Sequence, residues 1–85
     1  MSEKPKVLVK FFASARDSVG KKNLEMEIKK NCKVGDVMEN LFEEYPGLQE
    51  MEDHLLISVN KDRTGKDEIL KDGDEIAVMP PVTGG

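Results

Sequence analysis

Between Lys6 and Phe12 the chain reads Lys-Val-Leu-Val-Lys-Phe-Phe, a run of β-branched and aromatic residues that predicts a first strand. Successive strand side chains alternate, so Val7, Val9 and Phe11 share one face and Leu8, Lys10 and Phe12 the other. The polar stretch from Ser14 to Lys22, with Gly20 inside it, predicts a turn. Asn23 to Ile28 then alternates strictly, with Leu24, Met26 and Ile28 against Glu25 and Glu27. That is the pattern of a half-buried second strand, paired to the first as a hairpin.

The period then changes. Val34, Val37, Met38, Leu41, Phe42 and Tyr45 recur at helical spacing and form one continuous apolar face, with Glu39, Asn40, Glu43 and Glu44 opposite. Asp36 and Glu39 sit near the start, where the helix dipole favours negative charge, and Pro46-Gly47 ends the helix. Lys33 stands where Ser, Thr or Asp is expected. Either Asn31 supplies the cap or the helix forgoes about 1 kcal/mol.

Leu55 to Asn60 predicts a third strand with Leu55, Ile57 and Val59 on one face. Lys61 to Glu68 predicts a loop or hairpin tip around Thr64-Gly65. Ile69-Leu70 is a short apolar piece, Asp72-Gly73-Asp74 a turn, and Glu75 to Met79 a last strand with Ile76 and Val78 inward. A hairpin, one helix and further strands give an α+β fold, a mixed four- to five-stranded sheet with one main helix packed on one face. The expected core is Val7, Val9, Phe11, Leu24, Met26, Ile28, Val37, Met38, Leu41, Phe42, Ile57, Val59, Leu70, Ile76 and Val78. Such a core suffices without metal or disulfide. Strand parity leaves Leu8, Phe12, Leu56, Ala77 and Met79 on the helix-free face, where they predict an apolar docking patch.

Composition narrows the function. At 85 residues, 38% hydrophobic and 35% charged, the chain fits one small domain, taken as residues 1–79, followed by a tail at 80–85. A net charge of −4 with interspersed signs argues against nucleic acid or an anionic membrane as the main partner. The absence of a membrane-length apolar run, a first segment without a signal-peptide core, and a single cysteine all point to a cytoplasmic protein. Cys32 and the only histidine, His54, lie far apart and build no nucleophilic pair, and no metal-ligand set is present. Lys61 to Asp67 lacks the spacing of a phosphate-binding loop.

The chemistry concentrates in Pro80-Pro81-Val82-Thr83-Gly84-Gly85. Pro80 ends the last strand because proline cannot donate to a ladder, and the pair of prolines holds the chain extended. Gly84 and Gly85 leave it thin enough to thread a narrow channel, carboxylate foremost. Ordering six residues in a cleft costs roughly 6–12 kcal/mol of backbone entropy, which the prolines reduce in advance.

Three stretches resemble the ubiquitin-like sulfur carriers, above all the small subunit of molybdopterin synthase, the MoaD family. They are Phe11-Phe12-Ala13 with Arg16-Asp17 and Val19-Gly20, then Leu70 to Ala77, and the whole Pro80–Gly85 tail. The resemblance implies a β-grasp fold. It further implies that an activating, ubiquitin-activating-type adenylyltransferase uses ATP to adenylate the Gly85 carboxylate. A sulfur donor then converts the adenylate to a thiocarboxylate. The large synthase subunit would receive the tail (Pro80, Pro81, Val82, Thr83 and Gly84) together with the Phe12, Leu56, Ala77 and Met79 patch. In its pocket the sulfur attacks a pterin precursor, forming the dithiolene that holds molybdenum or tungsten. The small subunit binds no cofactor itself and is no enzyme on its own. The thiazole-forming carriers share the Gly-Gly end but generally lack the Pro-Pro-Val-Thr spacer, so the resemblance to them is weaker. Three alternatives stand beside this reading. They are a protein modifier joined through Gly85 to target lysines, a sulfur carrier for another thiolation pathway, and a plain interaction module.

Overall fold

The computed structural model of the chain describes residues 4–80. Strand β1 (Lys6–Phe11) pairs antiparallel with β2 (Asn23–Glu27), with Val7 opposite Met26 and Val9 opposite Leu24. The link between them is a helix rather than the expected turn: α1 spans Ala13–Val19. Phe12 is extended at its N-cap, Ala13 takes a left-handed φ of 53°, and Ala15 and Val19, one helical turn apart, are both buried. Gly20 closes the helix at φ 81°, its N–H donating to the Arg16 carbonyl at 2.7 Å. One buried pair inside a polar stretch was too short a period to read as a helix.

Helix α2 (Val34–Glu44) buries Val34, Val37, Met38, Leu41 and Phe42, the face that the spacing predicted. Its cap differs from the Asn31 alternative. Lys33 is the N-cap, its amide donates to the Asp36 carboxylate at 3.1 Å, and Asn31 lies upstream at φ 65°. The first helical amides are paired from outside, Val34 N–H with the Glu68 carbonyl and Gly35 N–H with that of Lys66, both at 2.9 Å. The missing hydroxyl is therefore replaced by main-chain acceptors. Gly35 permits that approach, since a Cβ there would meet the Lys66 carbonyl oxygen at 3.3 Å. Pro46 ends α2 as expected but also starts α3 (Pro46–Gln49), a short helix that carries Leu48 to full burial. A single-turn 3₁₀ helix (Glu52–His54) follows.

Strands β3 (Leu56–Val59), β4 (Asp62–Arg63) and β5 (Glu75–Met79) complete a five-stranded sheet of order β2-β1-β5-β3-β4. The central pair β1–β5 is parallel and every other pair antiparallel. The β3–β4 hairpin turns at Asn60-Lys61, with φ 52° and 75°, and not at Thr64-Gly65. Two successive left-handed residues make the tight turn whose twist suits a two-residue hairpin. Asn60 also bonds sideways, accepting from Glu75 N–H and donating to the Asp74 carboxylate, each at 3.0 Å.

The turn before β5 is stitched to the start of β1. Lys6 N–H donates to the Asp72 carboxylate, and Gly73 N–H donates to the Lys6 carbonyl, both at 2.8 Å. Lys71 N–H donates to the Asp74 carboxylate at 2.8 Å, and Gly73 takes φ 87°. This stitching sets β5 parallel to β1 and sends its far end toward Phe12. The core lies between the sheet and α2, and it includes Ala15, Val19, Val34 and Leu48 beyond the expected set, while Leu24, Met26 and Ile57 are only half-buried. Among the described residues no helix is long and apolar enough to cross a membrane.

Candidate functional site

The end of the sheet from which the tail departs is built by β5, β3 and the residue after β1. Met79 stands opposite Leu56, and Ala77 opposite Ser58, across the β3–β5 ladder. Phe12 continues the β1 ladder for one more bond, its N–H donating to the Val78 carbonyl at 3.1 Å. The Phe12 carbonyl in turn accepts from Ala15 N–H at 3.1 Å, at the start of α1. Phe12 is thus fixed on both sides of its backbone and holds its ring 44% exposed.

The predicted patch residues fall in part together. Phe12, Leu56, Ala77 and Met79 gather at the tail end of the helix-free face, with Ser58 buried among them. Leu8 sits farther along, opposite Glu75, and Lys10 intervenes opposite Ala77, tied to Glu75 by an ion pair at 3.1 Å. Of the cluster Phe12 is the most exposed, at 44%; Leu56, Ala77 and Met79 are half-buried. Pro80 follows directly on Met79 and is half-buried, while Pro81, Val82, Thr83, Gly84 and Gly85 lie outside the described residues. The sequence reading did not anticipate Ser58 in this cluster, although its place between Ile57 and Val59 put it on that face by parity.

The remaining reactive groups stand apart from this end. Cys32 is half-buried between β2 and α2, its thiol donating to the Lys33 carbonyl at 3.5 Å. Burial, and next the Asp36 carboxylate, push the thiol pKa up, so it is held protonated and a poor nucleophile at neutral pH. His54 closes the 3₁₀ turn on the surface. Among the described residues no His, Cys, Asp or Glu cluster could hold a metal ion. What this arrangement offers is an apolar anchor at the end of the sheet where Pro80 leads into the Gly84-Gly85 carboxylate, a group that can serve as an acyl donor once activated.

A five-stranded mixed sheet grasping one long helix is the β-grasp fold of the ubiquitin-like proteins, and the sequence match places this chain among the sulfur carriers of the ThiS/MoaD type. Residues 9–85 match the model of the ThiS family, and the chain belongs to that family. It is 34% identical to small archaeal modifier protein 3 of Haloferax volcanii, over 91% of this chain and 96% of that protein. It is 31% identical to the molybdopterin synthase sulfur carrier subunit of Mycobacterium tuberculosis, over 94% and 98% respectively. Among solved structures, it resembles a chain in the protein–protein complex of subunits 1 and 2 of the molybdopterin-converting factor from Helicobacter pylori. That likeness has a TM-score of 0.69 at 27% identity, covering 94% of this chain and 99% of that one.

Proposed function

We propose that this chain is the sulfur-carrying small subunit of a molybdopterin synthase. The observation that carries this reading is the family match running through the whole tail to residue 85, on a strand that ends beside Phe12 and Met79. The Gly85 carboxylate, ionised and unreactive at neutral pH, is adenylated at the expense of ATP by a separate ubiquitin-activating-type adenylyltransferase. A sulfur donor displaces the adenylate and leaves a thiocarboxylate. The large subunit then takes the tail into its pocket, where the sulfur attacks the bound pterin precursor. This chain supplies nucleophile and handle, and the partner supplies the acid–base groups.

The half-buried Leu56, Ala77 and Met79 with exposed Phe12 form the surface that seats on the large subunit. The subunit 1–subunit 2 complex that includes the structural relative supports such an assembly.

The archaeal modifier relative favours a second reading, in which the activated Gly85 acylates lysines of target proteins. Both readings need the same tail and the same activation. A chain prepared with a Gly85 thiocarboxylate and mixed with its large subunit and pterin precursor separates them. Sulfur transfer to the pterin supports the synthase reading, and Gly84→Val abolishes it by restricting and widening the tail. A thiocarboxylated chain that leaves the pterin unchanged while the large subunit is active with another carrier overturns it.

A further inference from the structure

Two large apolar side chains are exposed among the described residues, Phe12 and, at 47%, Ile69. They mark opposite ends of the molecule, since Phe12 follows the last residue of β1 while Ile69 lies in the strap before the turn stitched to its first. At about 3.3 Å per residue, β1 separates these ends by roughly 17 Å. Ile69 is held outward by its neighbours. Leu70 N–H donates to the Cys32 carbonyl at 2.7 Å and Leu70 is buried, so the side chain before it must face away.

Beside Ile69 runs a groove of about 840 Å³ with Ile28 in its floor and Lys4, Lys29, Lys30 and Lys71 around it. Ile28 and Pro5, both lining it, are joined by a hydrogen bond from the Ile28 N–H to the Pro5 carbonyl at 2.8 Å. Among the described residues Asp72 is the one carboxylate that lines it, and that carboxylate already accepts from Lys6 N–H, while Glu27, Asp36, Glu39 and Glu43 line the adjoining hollow that shares Lys4, Lys29 and Lys30. Among the described residues the ion pairs use Lys10 and Lys66, neither of which lines this groove. A chain of net charge −4 therefore gathers four lysines around an apolar floor.

We propose that this groove docks an acidic peptide segment of a partner protein, anchored by a large aliphatic side chain on Ile69 and Ile28. Charge complementarity chooses the occupant: the segment's carboxylates meet the four lysines, which steer its approach and set its register. Exposed ion pairs are individually weak, so the aliphatic anchor supplies the contact that fixes one pose. Because the groove lies at the end away from Phe12 and Pro80, a partner can hold the chain there while another protein holds the tail. The inference stands whether the tail delivers sulfur or modifies lysines.

The test is fluorescence anisotropy on the full chain with a fluorescein-labelled peptide, Asp-Glu-Asp-Ile-Leu-Asp-Glu-Asp, and amide chemical shifts to map the contact. Saturable binding is expected, with shifts centred on residues 28–31 and 69–72. The Lys29→Glu, Lys30→Glu double variant should weaken it about tenfold or more, through lost and reversed charge. Ile69→Ser, and separately a peptide with Ser-Ser in place of Ile-Leu, should each weaken it roughly fivefold. All substituted side chains are exposed, and unchanged thermal melts confirm the fold. No saturable binding at millimolar peptide overturns the proposal, as do shifts centred on Phe12 and Met79. Equal binding of the Ser-Ser peptide would mark bare polyanion attraction and overturn it too. So would phosphatidylserine vesicles that displace the labelled peptide from the wild-type chain while leaving the Ile69→Ser chain equally well bound.

Discussion

Replacing Phe11 and Phe12 one at a time by alanine separates the two faces of the sheet at neighbouring positions. Phe11 is 2% exposed and belongs to the hydrophobic core, so Phe11→Ala removes a buried ring and leaves a cavity, at about 3–5 kcal/mol. Phe12 is 44% exposed, so just over half of the roughly 1.5–3 kcal/mol gained by burying such a ring is at stake, about 0.8–1.7 kcal/mol. Its two structural hydrogen bonds are made by the backbone and survive truncation. In a domain whose net stability is on the order of 5–15 kcal/mol, the first change threatens folding and the second does not.

Denaturant unfolding should give these two losses with an unchanged slope. Calorimetric titration with the large subunit should show the reverse order for the folded variants. Phe12→Ala is expected to weaken binding by about tenfold or more, as central aromatic anchors do. A Phe12→Ala chain as unstable as Phe11→Ala would refute the placement of the ring. One that is stable and binds as tightly as wild type would refute the docking role.

Leu48→Ala should destabilise by about 2–5 kcal/mol in the same unfolding assay, because Leu48 is fully buried although it sits on a four-residue helix. Gly73→Ala should cost about 1–2 kcal/mol from its left-handed φ alone, since a Cβ there meets nothing within 4 Å. Gly65→Ala, equally open and without a positive φ, should be neutral or stabilise by up to about 1 kcal/mol. Cys32 should react with iodoacetamide more slowly than a free thiol below its raised pKa. Asp36→Asn, by removing a negative charge that opposes the thiolate, should lower that pKa and move the rate profile to lower pH.

The strands and the long helix were legible because each keeps one period long enough to separate faces. Val7 to Phe11, Leu24 to Ile28 and Val34 to Tyr45 alternate or recur without interruption. What escaped was short or made by the backbone. Helix α1 announces itself only through Ala15, Val19 and the capping Gly20, inside a stretch otherwise polar. The β3–β4 turn uses Asn60-Lys61, and a lysine at φ 75° is not what composition suggests when Thr64-Gly65 stands nearby. The helix cap could not be read from Lys33, because the acceptors for Val34 and Gly35 come from Lys66 and Glu68, more than thirty residues away in sequence. At the candidate site, parity placed Phe12, Leu56, Ala77 and Met79 together but could not show that Lys10 and its ion pair cut Leu8 off. The parallel β1–β5 pairing behind this arrangement follows from the Asp72-Gly73-Asp74 stitching, which a turn signal alone does not reveal.

The central claim rests on the chemical state of Gly85. Intact-mass and peptide mass spectrometry of this chain, isolated from its native cells, reads that state directly. The account predicts a population in which one carboxylate oxygen of Gly85 is replaced by sulfur. An unaltered carboxylate throughout, in cells whose ATP-dependent activating enzyme is active, would contradict it, and a Gly-Gly remnant on the lysines of other proteins in place of sulfur would assign the tail to protein modification.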